Sequence, residues 1–212
     1  MPTRVVTISH ATGAEGEGIG RIVADRLGFR YIDEEIIALA AEKIGLDAAL
    51  VADVERRKTL LARILGSFGQ GPVMDAAGAS GVLVPDAIKI SNTDGLRALI
   101  IDAIQETADR GDVVIVAHAA SIPLAGRKDL LRVLVTASAE TRVRRVAESA
   151  PGAKADAATI VKDSDAARAD YFLRFYQIER ELPTHYDLAI NTDVLTPDEA
   201  ADIVVSAARR RG

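Results

Sequence analysis

The sequence predicts an α/β fold, a parallel five-stranded sheet with helices on both faces. Two observations carry this expectation. Short apolar runs bounded by turn residues alternate with longer helical stretches, as expected of strands buried on both faces. The first run leads directly into a glycine-rich turn and a helix, the kind of join at which α/β sheets gather ligands. A chain of 212 residues suits one such domain with room for an insertion.

Taken in order, Val5-Val6-Thr7-Ile8 reads as the first strand, followed by a helix from Ile19 to Leu27. Tyr31-Ile32 is a short edge strand, and Glu34 to Ile44 a helix. The rhythm then breaks. A helix from Ala48 to Leu65 precedes a Gly/Pro/Ala-rich stretch, Gly66 to Pro85, whose small residues predict a mobile loop. The regular pattern returns with a helix from Asp94 to Arg110 and strands at Val113–Val116, Leu131–Val135 and Leu188–Ile190. Helices at Ala139–Glu148 and Pro197–Ala208 complete it; the second opens Thr196-Pro197-Asp198-Glu199, with a cap residue, proline in the first turn and acids at the start. The reading is thus one domain over 1–212, with a helical insertion at 34–95.

Composition excludes several function classes. With 49% hydrophobic and 27% charged residues the chain is globular, and with 4% aromatics and no tryptophan its core is aliphatic. The absence of cysteine rules out disulfides and cysteine-based zinc sites. A net charge of -5 argues against a general nucleic-acid binder. No run reaches the ~20 apolar residues of a membrane span, and the N-terminus lacks a signal-peptide pattern, so a cytoplasmic protein is expected. The basic tail Arg209-Arg210-Arg211 reads as a solvated helix end.

The stretch Ile8-Ser9-His10-Ala11-Thr12-Gly13-Ala14-Glu15-Gly16-Glu17-Gly18-Ile19-Gly20-Arg21 carries the functional signal. Four glycines between a strand and a helix let backbone N–H groups converge on an anion. A plain tight turn is the bland alternative. A dinucleotide site is the second: Thr12-Gly13 and Gly18-Ile19-Gly20 look like the opening of short-chain dehydrogenases. That reading fails on one residue too many between the glycine pairs and on a missing Tyr-x-x-x-Lys.

The third alternative is a phosphate-binding loop. Ile8, Ser9, Gly13, Gly16, Ile19, Gly20 and Arg21 fall in register with the P-loop of cytidylate kinase-like proteins. Leu27-Gly28-Phe29-Arg30-Tyr31-Ile32-Asp33-Glu34-Glu35-Ile36-Ile37, Thr141 to Val146, Asp163 to Phe172 and Tyr186-Asp187-Leu188-Ala189-Ile190-Asn191-Thr192 continue the match in order. The sequence therefore resembles the cytidylate kinase-like family of P-loop nucleoside monophosphate kinases, although its P-loop is degenerate. The resemblance implies a P-loop NTPase-type sheet of order 2-3-1-4-5, ATP and Mg²⁺ as cofactors, and a kinase that moves phosphate from ATP to a monophosphate such as CMP. It places nucleotide-binding at Gly13, Ala14, Glu15, Gly16, Glu17, Gly18, Ile19, Gly20 and Arg21, and acceptor-binding at Asp33 and His118. Catalytic roles go to Arg142, Arg145, Arg168 and His118, with a lid at 148–170; the alternative for the arginines is a basic face paired with Glu148 and Asp165.

Two departures set a rival expectation. Glu17 stands where the family places a loop cation, with Glu15 beside it and Gly18 where a hydroxyl ligand for magnesium would be useful. Two like charges at ~4 Å repel by about 1 kcal/mol in water and about 4 at an effective dielectric of 20. The acids suit a helix start, where they stabilise by ~0.3–1 kcal/mol, or they hold Mg²⁺ themselves. After Val113–Val116, Ala117-His118 replaces the expected Gly-Arg; His118 and His10 are each equally readable as structural. The rival is a catalytically weakened nucleotide-binding or regulatory protein on the same scaffold. A third reading, self-association through apolar surface on the insertion, predicts a homodimer; otherwise the expected partners are nucleotides.

Overall fold

A computed structural model describes residues 2–33, 93–117, 119–149 and 156–210. The chain divides into two units, residues 1–33 with 104–212, and residues 34–103. The first unit carries the sheet. The expected insertion at 34–95, including the helices at 34–44 and 48–65 and the loop at 66–85, lies outside the described residues except for residues 93–95. His118 and residues 150–155 of the expected lid also lie outside them.

The described strands are β1 (Val5–His10), β2 (Arg30–Ile32), β3 (Val113–Val116), β4 (Leu130–Thr136) and β5 (Leu188–Asn191). They form one parallel sheet of order β2-β3-β1-β4-β5, the order expected. The described helices are α1 (Gly16–Leu27), α2 (Thr93–Asp109), α3 (Ala139–Ser149), α4 (Ala157–Tyr176) and α5 (Pro197–Arg210). No described helix is long and apolar enough to cross a membrane.

Alternation along the strands builds the core. Val6 and Ile8 of β1, Val114 and Val116 of β3, and Leu131, Val133 and Val135 of β4 face α1 and α5. There they meet Ile19, Val23, Ala200, Ala201 and Val204, all buried aliphatic or alanine side chains. On the other face Val5, Thr7, Ser9, Val113 and Ile115 of the central strands are also buried, while Arg132, Leu134 and Thr136 of β4 are half-buried and Ala189 and Asn191 of β5 are exposed. Helix α5 starts as expected. Thr196 Oγ1 accepts from the Glu199 amide at 3.3 Å, and Glu199 Oε2 accepts from the Thr196 amide at 2.8 Å, a reciprocal capping box.

Two elements differ from the sequence reading. Helix α1 begins at Gly16 rather than Ile19, because only Gly13 in this stretch needs a glycine's positive φ. Gly20 is there for space. A Cβ on it would lie 2.4 Å from Val116 Cγ2 and 3.2 Å from Tyr31 Cε2. Gly20→Ala is therefore expected to push α1 off β3 and cost about 1–3 kcal/mol, measurable by urea unfolding. The second difference is α4, a 20-residue helix over much of the segment expected to act as a lid.

Candidate functional site

The loop joining β1 to α1 sits at the carboxyl end of the sheet's central strand. It is short: β1 ends at His10 and the helix starts at Gly16. A turn bond from the Ala14 amide to the Ala11 carbonyl, 3.0 Å, folds it back. Gly13 has φ +81° and Glu15 φ +65°, so left-handed residues alternate along the loop. Glycine is required at 13, since a Cβ would lie 2.7 Å from the Arg142 carbonyl oxygen. Glu15 holds the same backbone region at a cost of roughly 1–2 kcal/mol. The first amides of α1, at Gly16, Glu17 and Gly18, have no acceptor four residues back and carry the positive end of the helix dipole.

Ala14, Gly16, Ile19 and Gly20 from the expected nucleotide-binding set are buried; their side-chain positions shape the site from beneath. Glu15 occupies the N-cap position of α1, yet its side chain makes no capping hydrogen bond. Its carboxylate lies 3.5 Å from Arg145 Nε instead. Glu17 is exposed in the first turn of α1. Arg21 turns toward β2: its Nη2 is 3.3 Å from Asp33 Oδ2, and its guanidinium lies 4.6 Å from the Tyr31 ring centroid. Asp33 and Arg21 thus neutralise each other.

Arg142 and Arg145, three residues apart on α3, share a face as expected, while Arg144 is exposed. Both point at the loop. Arg142 is buried and forms a bidentate pair with Asp165 of α4, both distances 2.8 Å. It also donates to the carbonyls of Ala137 (3.2 Å) and Thr12 (3.5 Å). Arg145 donates to the Gly13 carbonyl (3.3 Å), the Thr192 hydroxyl (3.0 Å) and the Thr192 carbonyl (2.7 Å). Arg168 reaches the end of β1. It donates to Ser9 Oγ at 2.7 Å and to the His10 carbonyl at 2.9 Å, and grips both oxygens of Glu181 at 2.7 Å. Each of the three arginines therefore has a carboxylate partner before any ligand arrives.

Several participants had no assigned role in the sequence reading. Glu181 is one; Tyr186, its hydrogen-bond donor, is another. Burial, and next the bond to Glu181, raises the Tyr186 pKa, so the phenol stays protonated. Thr192 and Ser164 complete the group: Ser164 Oγ lies 2.5 Å from Thr12 Oγ1, and Thr192 donates to the Ala14 carbonyl at 3.2 Å. Tyr186 and Thr192 begin and end the Tyr186–Thr192 motif, the signal that could have found them. A cleft of about 300 Å³ lies beside these residues, lined by Ala11, Thr136, Arg142, Arg168, Phe172 and Glu181 among others.

His10 packs beneath the loop, where a Cβ on Gly16 would fall 2.3 Å from its own Cβ. Burial lowers its pKa, partly opposed by the Ala11 carbonyl and the charge of Glu17. The unfolded chain then takes up a proton near pH 6.5 that the folded protein refuses. This contribution to stability is complete above about pH 6.5 and is lost as pH falls toward the folded value. Unfolding curves between pH 7 and 5 should show a shallower loss for His10→Asn than for the wild type.

No group of three or more His, Asp or Glu among the described residues is arranged to hold a metal. The donors present suit magnesium that arrives with a nucleotide, since that ion keeps its waters and takes one carboxylate plus phosphates. Glu15 is engaged by Arg145; Glu17 is the loop carboxylate outside any ion pair among the described residues.

This geometry has relatives. The profile of the cytidylate kinase-like family matches residues 5–194. The chain belongs to that family. A cytidylate kinase of Symbiobacterium thermophilum is 29% identical over 183 residues, 78% of each chain. A solved structure of an uncharacterized protein from Eubacterium ventriosum aligns with a TM-score of 0.66 at 15% identity, over 97% of this chain and 98% of that one. The shikimate kinase of Bacteroides thetaiotaomicron aligns at 0.54 and 13% identity, over 96% and 97%. At such identities the structural likeness establishes the fold, a P-loop kinase fold. Family and fold together make this cytidylate kinase-like chain a nucleotide-kinase-like protein.

Proposed function

We propose that this protein binds ATP with Mg²⁺ and transfers the γ-phosphoryl group to a nucleoside monophosphate, CMP being the acceptor its relatives suggest. The observation that carries the reading is the β1–α1 loop. It ends the central strand, alternates left-handed residues at Gly13 and Glu15, and opens onto the first amides of α1. Those amides take phosphate oxygens. Magnesium supplies charge neutralisation for the transferred group, with Glu17 as its protein ligand. Asp33 and His118 serve the acceptor. Arg168 gives up Glu181 for phosphate as α4 closes, and closure keeps water from competing as acceptor.

A second reading has its own observation. Glu17 replaces a cation, and Arg142, Arg145 and Arg168 are already matched by Asp165, Glu15 and Glu181. A protein so neutralised can bind nucleotide without turning it over. Calorimetric titration with ATP and each nucleoside monophosphate, with and without Mg²⁺, combined with an ADP-release assay, tests both. Mg²⁺-dependent ATP binding with ADP release on adding CMP is expected. Binding without release leaves the weakened scaffold, and no binding removes both.

A further inference from the structure

Three consecutive carbonyls of the loop are held from outside. Thr12 O accepts from Arg142 Nη1 at 3.5 Å and Gly13 O from Arg145 Nη1 at 3.3 Å, and Ala14 O lies 3.2 Å from Thr192 Oγ1, whose one proton it shares with the Thr136 carbonyl at 3.3 Å. The donors come from α3 and from the residue after β5, so two separate elements grip one short loop. We infer that Arg142, Arg145 and Thr192 are positioning residues, which orient the loop's peptide groups for a polyphosphate without touching it.

Peptide geometry supplies the reason. In a planar trans peptide the N–H points opposite to the C=O. Fixing the carbonyls of 12, 13 and 14 on one side directs the amides of Gly13, Ala14 and Glu15 to the other. The Ala14 amide is used by the Ala11 carbonyl. Peptide planarity then points the Gly13 and Glu15 amides away from their own strapped carbonyls. A Cβ at Gly13 would strike Arg142's own backbone, so α3 and the loop are in contact and the grip is short.

The charges point the same way. Arg142 is matched by Asp165 and Arg145 by Glu15, which removes most of their long-range attraction for an anion. What remains is directional hydrogen bonding to peptide groups. In a chain whose loop cation is replaced by Glu17, fixed amides must carry the anion. Positioning them early avoids an ordering cost at binding.

This inference rests on the phosphate-seat reading of the loop, and the test separates the two. Thr192 is buried and 1% exposed; Thr192→Val replaces the hydroxyl by a methyl of similar size and removes its contacts with Ala14, Thr136 and Arg145 together, while Thr192→Ser keeps the hydroxyl. Binding of inorganic tripolyphosphate is measured by calorimetry for all three proteins, each checked for a wild-type melting profile. Tripolyphosphate affinity should fall about three- to tenfold in Thr192→Val, the worth of one hydrogen bond, and return in Thr192→Ser. In Thr192→Val, Arg145→Met should add less than it costs alone, since both act on one loop. Equal affinity in Thr192→Val and wild type overturns the positioning role, and so does equal loss in Val and Ser, which reports packing. A wild type that takes up no tripolyphosphate overturns the seat and the inference with it. If Thr192→Val does not fold, the Gly13 and Glu15 amide resonances of Arg145→Lys decide: they should move and weaken tripolyphosphate binding together, and unchanged binding rejects the role.

Discussion

Glu17→Lys is expected to tighten ATP binding at least tenfold in the absence of Mg²⁺, about 1.4 kcal/mol. The exposed Glu17 carboxylate stands in the first turn of α1, the helix proposed to face the phosphates. Reversing its charge removes a repulsion and adds an attraction, each worth about 1 kcal/mol in water at ~4 Å and more where solvent is excluded. The change costs about 0.3–1 kcal/mol of stability, because a cation opposes the helix dipole. With Mg²⁺ present the sign separates two accounts. If Glu17 holds the metal, Mg²⁺-dependent affinity and turnover fall in the variant; if it only repels phosphate, both rise. Calorimetry on the two proteins, with and without Mg²⁺, measures this.

The second large effect is expected in the ligand-free protein. Arg168→Met removes the hub that joins Ser9, the His10 carbonyl and Glu181. The pair is largely buried, with side chains 10% and 19% exposed. Loss of one partner strands the Glu181 carboxylate beside Tyr186, at a cost toward the lower end of ~3–5 kcal/mol. Arg168→Met combined with Glu181→Met leaves no uncompensated charge and should recover part of that stability. Urea unfolding of wild type, both single variants and the double variant completes the cycle. A single-variant cost below about 1 kcal/mol would make Arg168 a surface-like arginine available to ligand at no structural expense.

Much of the sheet was legible because a strand buried on both faces leaves a plain mark. Val113–Val116 is four β-branched residues between Asp112 and Ala117, and its bounds match those expected. The edge strand at Tyr31-Ile32 was found, one residue short. The start of α1 was misplaced for a physical reason. Glycines at 16, 18 and 20 read as loop formers, yet Gly16 and Gly20 serve close packing on His10 and Val116 inside a helix. Helix α4 hid because few of its positions are buried, among them Ala157, Val161, Phe172 and Phe175, in a segment rich in aspartate and arginine.

The site was legible as a location more than as a set of contacts. Arg142 and Arg145 were placed on one face by their spacing, and both meet the loop. Of their partners, Asp165, 23 residues from Arg142, is one of the two acids the basic-face alternative names, whereas Thr192, 47 residues from Arg145, carries no sequence signal as a partner. Glu181 meets Arg168 because α4 ends at Gln177 in a left-handed turn that carries the chain back. Such a return depends on tertiary packing. Glu15 does stand at the start of α1, where an acid suits the dipole, but its carboxylate meets Arg145 of α3 and makes no capping hydrogen bond, a partner no local pattern reveals.

The central claim, that phosphates sit on the β1–α1 loop, is tested most directly by backbone amide resonances during titration with Mg²⁺ and ATP. The amides of Gly13 and of Glu15 to Gly18 should shift most, with cytidine alone leaving them unmoved. Saturable ATP binding that leaves these amides in place, or no binding at millimolar nucleotide, would contradict it.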